Sequence, residues 1–185
     1  MVKSMPRIDD AIGKVLITKQ QIEKRNRELA DIINRDYEGK EVMLVSILSG
    51  GFIFAADIIR LLNIPATISF IYASSYGTGT TSSGNVEIRS GKGFEPAGKD
   101  IIIVEDIIDT GNTLKKVSEY LANEGAKSVE IMTFLDKPSR RIADISAKYV
   151  GFEIPDEFVV GYGLDYAYKY RQLPYVGVMK PEFCE

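Results

Sequence analysis

The sequence predicts an α/β domain, with a mostly parallel central sheet flanked by helices on both faces. Three observations carry this. Apolar runs of strand length alternate with segments of helical period. The runs lack polar alternation, as at the four β-branched residues Ile101 to Val104, and this suits strands buried on both faces. Ser, Gly and acidic residues break the runs where the next helix should open.

In chain order, Thr18 and Gln21 form a capping-box pattern with Ile17 and Ile22 as a hydrophobic staple. The helix they start turns Ile22, Leu29, Ile32 and Ile33 inward and stops near Gly39. Val42 to Leu48 is an apolar run of strand length, broken at Ser49-Gly50-Gly51. Phe52 to Leu62 reads as a helix ending before Pro65, Ala66 to Tyr72 as a strand, and residues 85–89 as a short exposed strand. Ile101 to Glu105 is a strand. The helix after it carries Leu114, Val117 and Leu121 on one face and closes at Gly125. Ser128 to Leu135 is a further strand. No repeat or linker divides the chain, so residues 1–185 are expected as one domain. The region from about 149 to 185, richer in Tyr and Pro, is expected to join the N-terminal segment in a small C-terminal hood over the sheet edge.

Composition narrows the chemistry. With 23 basic and 26 acidic residues the net charge is −3, which disfavours general binding to nucleic acid or to an anionic membrane. A polyphosphate ligand would then need backbone amides, metal ions and a few placed cations. The chain has no His, which removes His-based triads and most catalytic zinc sites. Its single Cys184 permits no internal disulfide, and Met1 to Arg7 lack the apolar core of a signal peptide; both fit a cytoplasmic location.

Residues 99–113 are the most informative stretch. Two carboxylates, Glu105 and Asp106, fall where the strand is expected to end, and Asp109, Thr110, Gly111, Asn112 and Thr113 open a helix. Carboxylates accept hydrogen bonds from ribose hydroxyls. A Gly-containing turn at a helix N-terminus offers free N–H groups to phosphate. Successive strand residues point to opposite faces, so both acids reach one ligand only at a strand end; otherwise the pair is an ordinary acidic turn capping the helix. Gly-Lys-Ser/Thr is absent, so this is not a nucleoside-triphosphate P-loop. Ten of the eleven residues from Ser74 to Gly84 are Ser, Gly or Thr. Such a segment is either an indifferent surface loop or a lid that excludes water from a reacting centre.

Taken together, Val104 to Thr113, Leu48-Ser49-Gly50-Gly51, Ser75-Tyr76-Gly77, Asp136-Lys137-Pro138, Phe158 to Tyr166 and Arg171 resemble the type I phosphoribosyltransferases. The likeness is nearest to the hypoxanthine-guanine enzymes and covers nearly the whole chain. It implies the type I phosphoribosyltransferase fold and transfer of a phosphoribosyl group from phosphoribosyl pyrophosphate to hypoxanthine or guanine. It also implies Mg2+ as cofactor and a homodimer or homotetramer. By resemblance, Asp109 is the general acid/base at purine N7, a role that suits a carboxylate whose acidic neighbours favour its protonated form. Glu105, Asp106 and Asp109 to Thr113 bind the ribose and 5′-phosphate. Leu48, Ser49, Gly50, Gly51, Ser75, Tyr76 and Arg171 bind pyrophosphate, with a non-proline cis peptide often found between the first two. Many relatives carry Lys at Ser49, so backbone amides of Gly50 and Gly51 are left to do that binding. Lys137, Phe158, Val159 and Asp165 hold the purine, Lys137 donating to its 6-oxygen, which leaves xanthine open as a poor substrate. Glu105, Asp106 and Asp165 are the implied metal ligands.

Overall fold

The computed structural model describes residues 8–75 and 86–183. Tyr76, most of the Ser74 to Gly84 segment, Met1 to Arg7 and Cys184 lie outside them.

After a short 3-10 turn at Ile8–Ala11, β1 (Ile12–Ile17) leads into α1 (Lys19–Asp36). The capping box forms at its start: Gln21 N–H donates to Thr18 Oγ1 at 3.3 Å, and Thr18 N–H donates to Gln21 Oε1 at 2.8 Å. Ile17 and Ile22 are both buried beside that cap. Then come β2 (Val42–Leu48), α2 (Phe52–Ile59), β3 (Ala66–Ser75), β4 (Val86–Ser90) and β5 (Asp100–Ile108). The chain continues through α3 (Asn112–Asn123), β6 (Ser128–Asp136), β7 (Tyr149–Glu153), β8 (Val159–Val160) and β9 (Val176–Met179). No helix among the described residues is long and apolar enough to cross a membrane.

Six strands form the main sheet in the order β4-β3-β2-β5-β6-β7, parallel except for β4, which is an antiparallel edge. Both faces are covered, as the apolar strands require. On β2 and β5, Leu44, Ile102 and Val104 join a core with Leu29 and Ile33 of α1 and Phe54 of α2. Their neighbours Val45, Ile101 and Ile103 point the other way, to Leu114, Val117 and Leu121 of α3. A second, antiparallel sheet, β1-β9-β8, joins the N-terminal segment to the C-terminal one.

Several boundaries differ from the sequence expectation, among them β3, which runs on past Tyr72 to Ser75. The second helix stops at Ile59, and residues 60–62 tighten into i→i+3 turns, Leu61 N–H bonding Ile58 O at 2.9 Å. The strand expected to end near Glu105 runs on to Ile108, because β6 keeps pairing with it as far as Ile108 opposite Asp136. Tyr149–Glu153, expected in the C-terminal hood, is instead the outermost parallel strand of the main sheet.

The strand order positions the site. From β2 the chain proceeds outward to β3, whereas from β5 it proceeds the other way to β6 and β7. Such a reversal opens a crevice at the carboxyl ends of the two central strands. Pairing of β2 with β5 stops at Ser46 opposite Val104, so Glu105 and Asp106 lie beyond the paired stretch and reach that crevice.

Candidate active site

The acid pair does not need a strand end. Beyond Val104, β5 lacks its β2 partner and the loop after β2 lies alongside instead. Glu105 is buried and Asp106 half-buried, and both border a cavity of about 280 Å3 together with Leu48, Asp109, Thr110 and Gly111. Their carboxylates accept main-chain bonds, Glu105 Oε1 from Asp106 N–H at 3.1 Å and Asp106 Oδ1 from Ile107 N–H at 2.8 Å. Burial pushes the Glu105 carboxyl well above the usual range, and the adjacent Asp106 adds to the push. Burial likewise raises Asp106, against the hydrogen bonds it accepts and the charge of Arg171.

That burial has a stability consequence. A raised folded-state pKa means the folded chain holds a proton where the unfolded chain has released it. Stability therefore falls as pH rises from the ordinary carboxylate range through the raised value. Glu105→Gln removes the effect. In metal-free buffer at pH 7.5 it should raise the melting midpoint by a few degrees, each 1 kcal/mol being about 2–4 °C in a domain of this size. The gain should shrink as pH is lowered toward 4, as calorimetry can check; a lower midpoint for the variant at pH 7.5 would contradict this account of the pair.

The turn after β5 has the geometry of an anion cradle. Gly111 caps α3 with φ +82°, and an added Cβ would stand 2.8 Å from Ile145 Cγ2 and 3.0 Å from Arg141 Cδ. Only Gly fits. The first-turn N–H groups of α3 have no acceptor four residues back. Ile142 and Ala143 N–H both bond Thr110 O, at 3.0 and 2.9 Å, and pin the turn from behind. Thr113 joins Thr110 and Gly111 on the cavity wall, whereas Asn112 is exposed and off it.

Across the crevice, the Leu48–Ser49 peptide is cis. Gly50 packs against the acids so closely that a Cβ would overlap the Asp106 carboxylate, and one on Gly51 would lie 2.7 Å from Val104 O. Gly163, at φ +102°, lies so near that a Cβ on it would overlap Gly50 O. Arg171 donates to Gly163 O and pairs with Asp165 Oδ1 at 2.7 Å, and Asp165 Oδ2 accepts Tyr168 N–H at 2.7 Å. Ser49 is exposed, and neither it nor Arg171 lines the cavities.

A second cavity, of about 590 Å3, shares Asp106, Ile107 and Asp109 with the first. Lys137, Phe158, Val159 and Asp165 are on its wall. Lys137 is buried, its main chain fixed by a bond from its N–H to Ile108 O at 3.0 Å and its Nζ bonded to Glu157 O at 2.8 Å. Phe158 is half exposed, 5.7 Å edge-on from Tyr166. Asp109 is not grouped with the buried acids: its side chain is 44% exposed and Oδ1 accepts Arg140 Nε–H at 2.6 Å. Arg140, Asp156 and Leu164, which sequence reasoning did not single out, complete the wall. Only the nearness of Arg140 to Lys137, and of Asp156 to Phe158, hinted at them.

Two joined cavities, one edged by a helix-opening turn and buried acids and the other by a Lys and an exposed ring, suit a phosphorylated sugar beside a flat heterocycle. Comparison with known proteins agrees. Residues 16–167 match the phosphoribosyl transferase domain. The chain is 48% identical over 171 residues to the hypoxanthine-guanine phosphoribosyltransferase of Staphylococcus aureus (strain Mu50), covering 92% of this chain and 96% of that one. It is 48% identical over 175 residues to the same enzyme of Lactococcus lactis, covering 95% of each. The crystal structure of a hypoxanthine phosphoribosyltransferase from S. aureus superposes with a TM-score of 0.93 at 45% identity, over 99% of this chain and 100% of that one. The chain belongs to the phosphoribosyl transferase family, among its hypoxanthine-guanine phosphoribosyltransferases.

Proposed function

We propose that this chain is a purine-salvage transferase. It moves the phosphoribosyl group of phosphoribosyl pyrophosphate to N9 of hypoxanthine or guanine, giving the nucleoside monophosphate and pyrophosphate. The observation that carries the reading is the shared wall of the two cavities, where Asp106, Ile107 and Asp109 face both. A sugar bonded to a base across that wall has its C1 beside the acids.

In this reading the N–H groups of Thr110 to Thr113 bind the 5′-phosphate, and Glu105 and Asp106 hold the ribose hydroxyls. Leu48 to Gly51, Arg171 and, on the resemblance, Ser75 and Tyr76 bind the pyrophosphate. Phe158 stacks on the purine, Val159 offers its carbonyl, and Lys137 donates to the 6-oxygen. As the bond from C1 to pyrophosphate breaks, N9 bonds C1 and Asp109 takes the proton from N7. The buried acid pair suits Mg2+. Two carboxylates are the donor set expected for an ion shared between the protein and substrate oxygens. Bound there with Glu105 and Asp106, Mg2+ would neutralise charge on the leaving pyrophosphate. Asp165 is engaged by Arg171 and the Tyr168 N–H, and each of its oxygens keeps a lone pair with which it can also reach an ion. The β1-β9-β8 sheet serves as the hood, the assembly is a homodimer or homotetramer, and the compartment is the cytoplasm.

The test is nucleotide formation by the purified protein with Mg2+, phosphoribosyl pyrophosphate and each of adenine, hypoxanthine, guanine and xanthine. Product from hypoxanthine and guanine but not adenine is expected; product from adenine alone contradicts the reading. Lys137→Met should lower kcat/KM for hypoxanthine by about 10- to 100-fold, the worth of one charged hydrogen bond. The KM for phosphoribosyl pyrophosphate should hold, as initial-rate measurements would show.

A further inference from the structure

Arg140 joins the site's two functions. Its Nε–H donates to Asp109 Oδ1 at 2.6 Å and its Nη1 to Asp156 Oδ2 at 3.2 Å. The other Asp156 oxygen, Oδ1, meets Lys137 Nζ at 3.4 Å. Asp109, Arg140, Asp156 and Lys137 thus form one chain of contacts along the wall of the larger cavity. Arg140 is also the leading reason that Asp156 sits below the usual carboxylate range, with Lys137 contributing less.

The neighbouring arginine does a different job. Arg141 Nε–H bonds the Asp109 main-chain oxygen at 3.2 Å and Nη1 bonds Ile145 O at 2.9 Å, with a further pair to Asp136. It fixes the backbone beneath Asp109 but does not orient the carboxylate. Asp109 and Arg140 side chains are 44% and 47% exposed, so packing does not orient it either. An exposed pair of this kind adds little to stability; what it supplies is direction.

We propose that Arg140 is the positioning residue for Asp109. It engages Oδ1, leaving Oδ2, which has no partner among the described residues, for purine N7. Through Asp156 it ties that carboxylate to Lys137, so the proton acceptor and the donor to the 6-oxygen keep a fixed spacing across one purine. The inference rests on the acid/base reading of Asp109.

The test is steady-state kinetics on Arg140→Gln, Arg140→Lys, Asp109→Ala and the Asp109→Ala/Arg140→Gln double variant. Arg140→Gln should lower kcat by about 10- to 100-fold, the scale of a misplaced reacting group. The KM for phosphoribosyl pyrophosphate and the melting midpoint should stay unchanged. Arg140→Lys should recover part of the loss, because one ammonium cannot bridge two carboxylates as a guanidinium fork does. Arg140→Gln should add nothing in the Asp109→Ala background. An equal loss in both backgrounds, or full turnover in Arg140→Gln, overturns the role of Arg140 alone. Full turnover in Asp109→Ala overturns the acid/base reading and this inference with it. Should the Gln variant misfold, the Lys variant decides: turnover equal to wild type counts against the tether.

Discussion

Asp109→Ala lowers kcat by about 10²- to 10⁴-fold, the ordinary worth of a positioned general base, while the KM values for both substrates change far less. The reasoning is geometric. Asp109 follows the last residue of β5 and borders both cavities, so it faces the sugar and the base at once. Its carboxylate is not the main hold on either substrate, since the amides of the following turn and the Lys137–Phe158 wall are separate features. Removing its carboxylate leaves N7 without a proton acceptor as N9 acquires its bond to C1, which affects the transition state more than the bound state. Because the side chain is part-exposed and, among the described residues, paired only with Arg140, the variant should fold normally. Initial-rate kinetics with each substrate varied give the answer, and unchanged turnover would remove Asp109 from the role.

Gly50→Ala should be nearly as damaging, for a different reason. The Cβ it adds falls on the Asp106 carboxylate, so Asp106 or the loop itself must move. Displacement of about 1 Å in a reacting constellation costs on the order of 10²-fold, so kcat/KM for phosphoribosyl pyrophosphate should fall by about that factor. The same substitution at Gly91, where a Cβ meets nothing within 4 Å and φ is not positive, should cost little activity, which makes it the control. A Gly50→Ala enzyme of normal activity would show that the tight contact between loop and acid has no part in catalysis.

The legible parts of the fold were those that local chemistry dictates. The Thr18 to Gln21 box set the start of α1, the unbroken apolar run set β2, and Gly111 marked the start of α3. Features depending on distant partners were not legible. β1 exists because β9 pairs with it from more than 150 residues away, and Ile12 to Ile17 carries no strong strand pattern of its own. The extra length of β5 comes from β6, and the membership of Tyr149–Glu153 in the main sheet likewise.

The site divides the same way. Glu105, Asp106, Asp109, Gly111 and Lys137 stood out through motifs, and the fold gathers them at the carboxyl ends of β5 and β6. Arg140 and Asp156 did not stand out, because their meaning arises only when folding brings Arg140 to a carboxylate 31 residues earlier. Asp109 shares a cavity with Glu105 and Asp106, and its pairing with Arg140 was not legible for the same reason.

A crystal structure with inosine 5′-monophosphate bound tests the central claim most directly. The account predicts the phosphate on the amides of Thr110 to Thr113, the purine between Lys137 and Phe158, and N7 within about 2.6–3.2 Å of Asp109. A phosphate lodged away from that turn, or a purine outside the cavity that Asp109 shares, would contradict it.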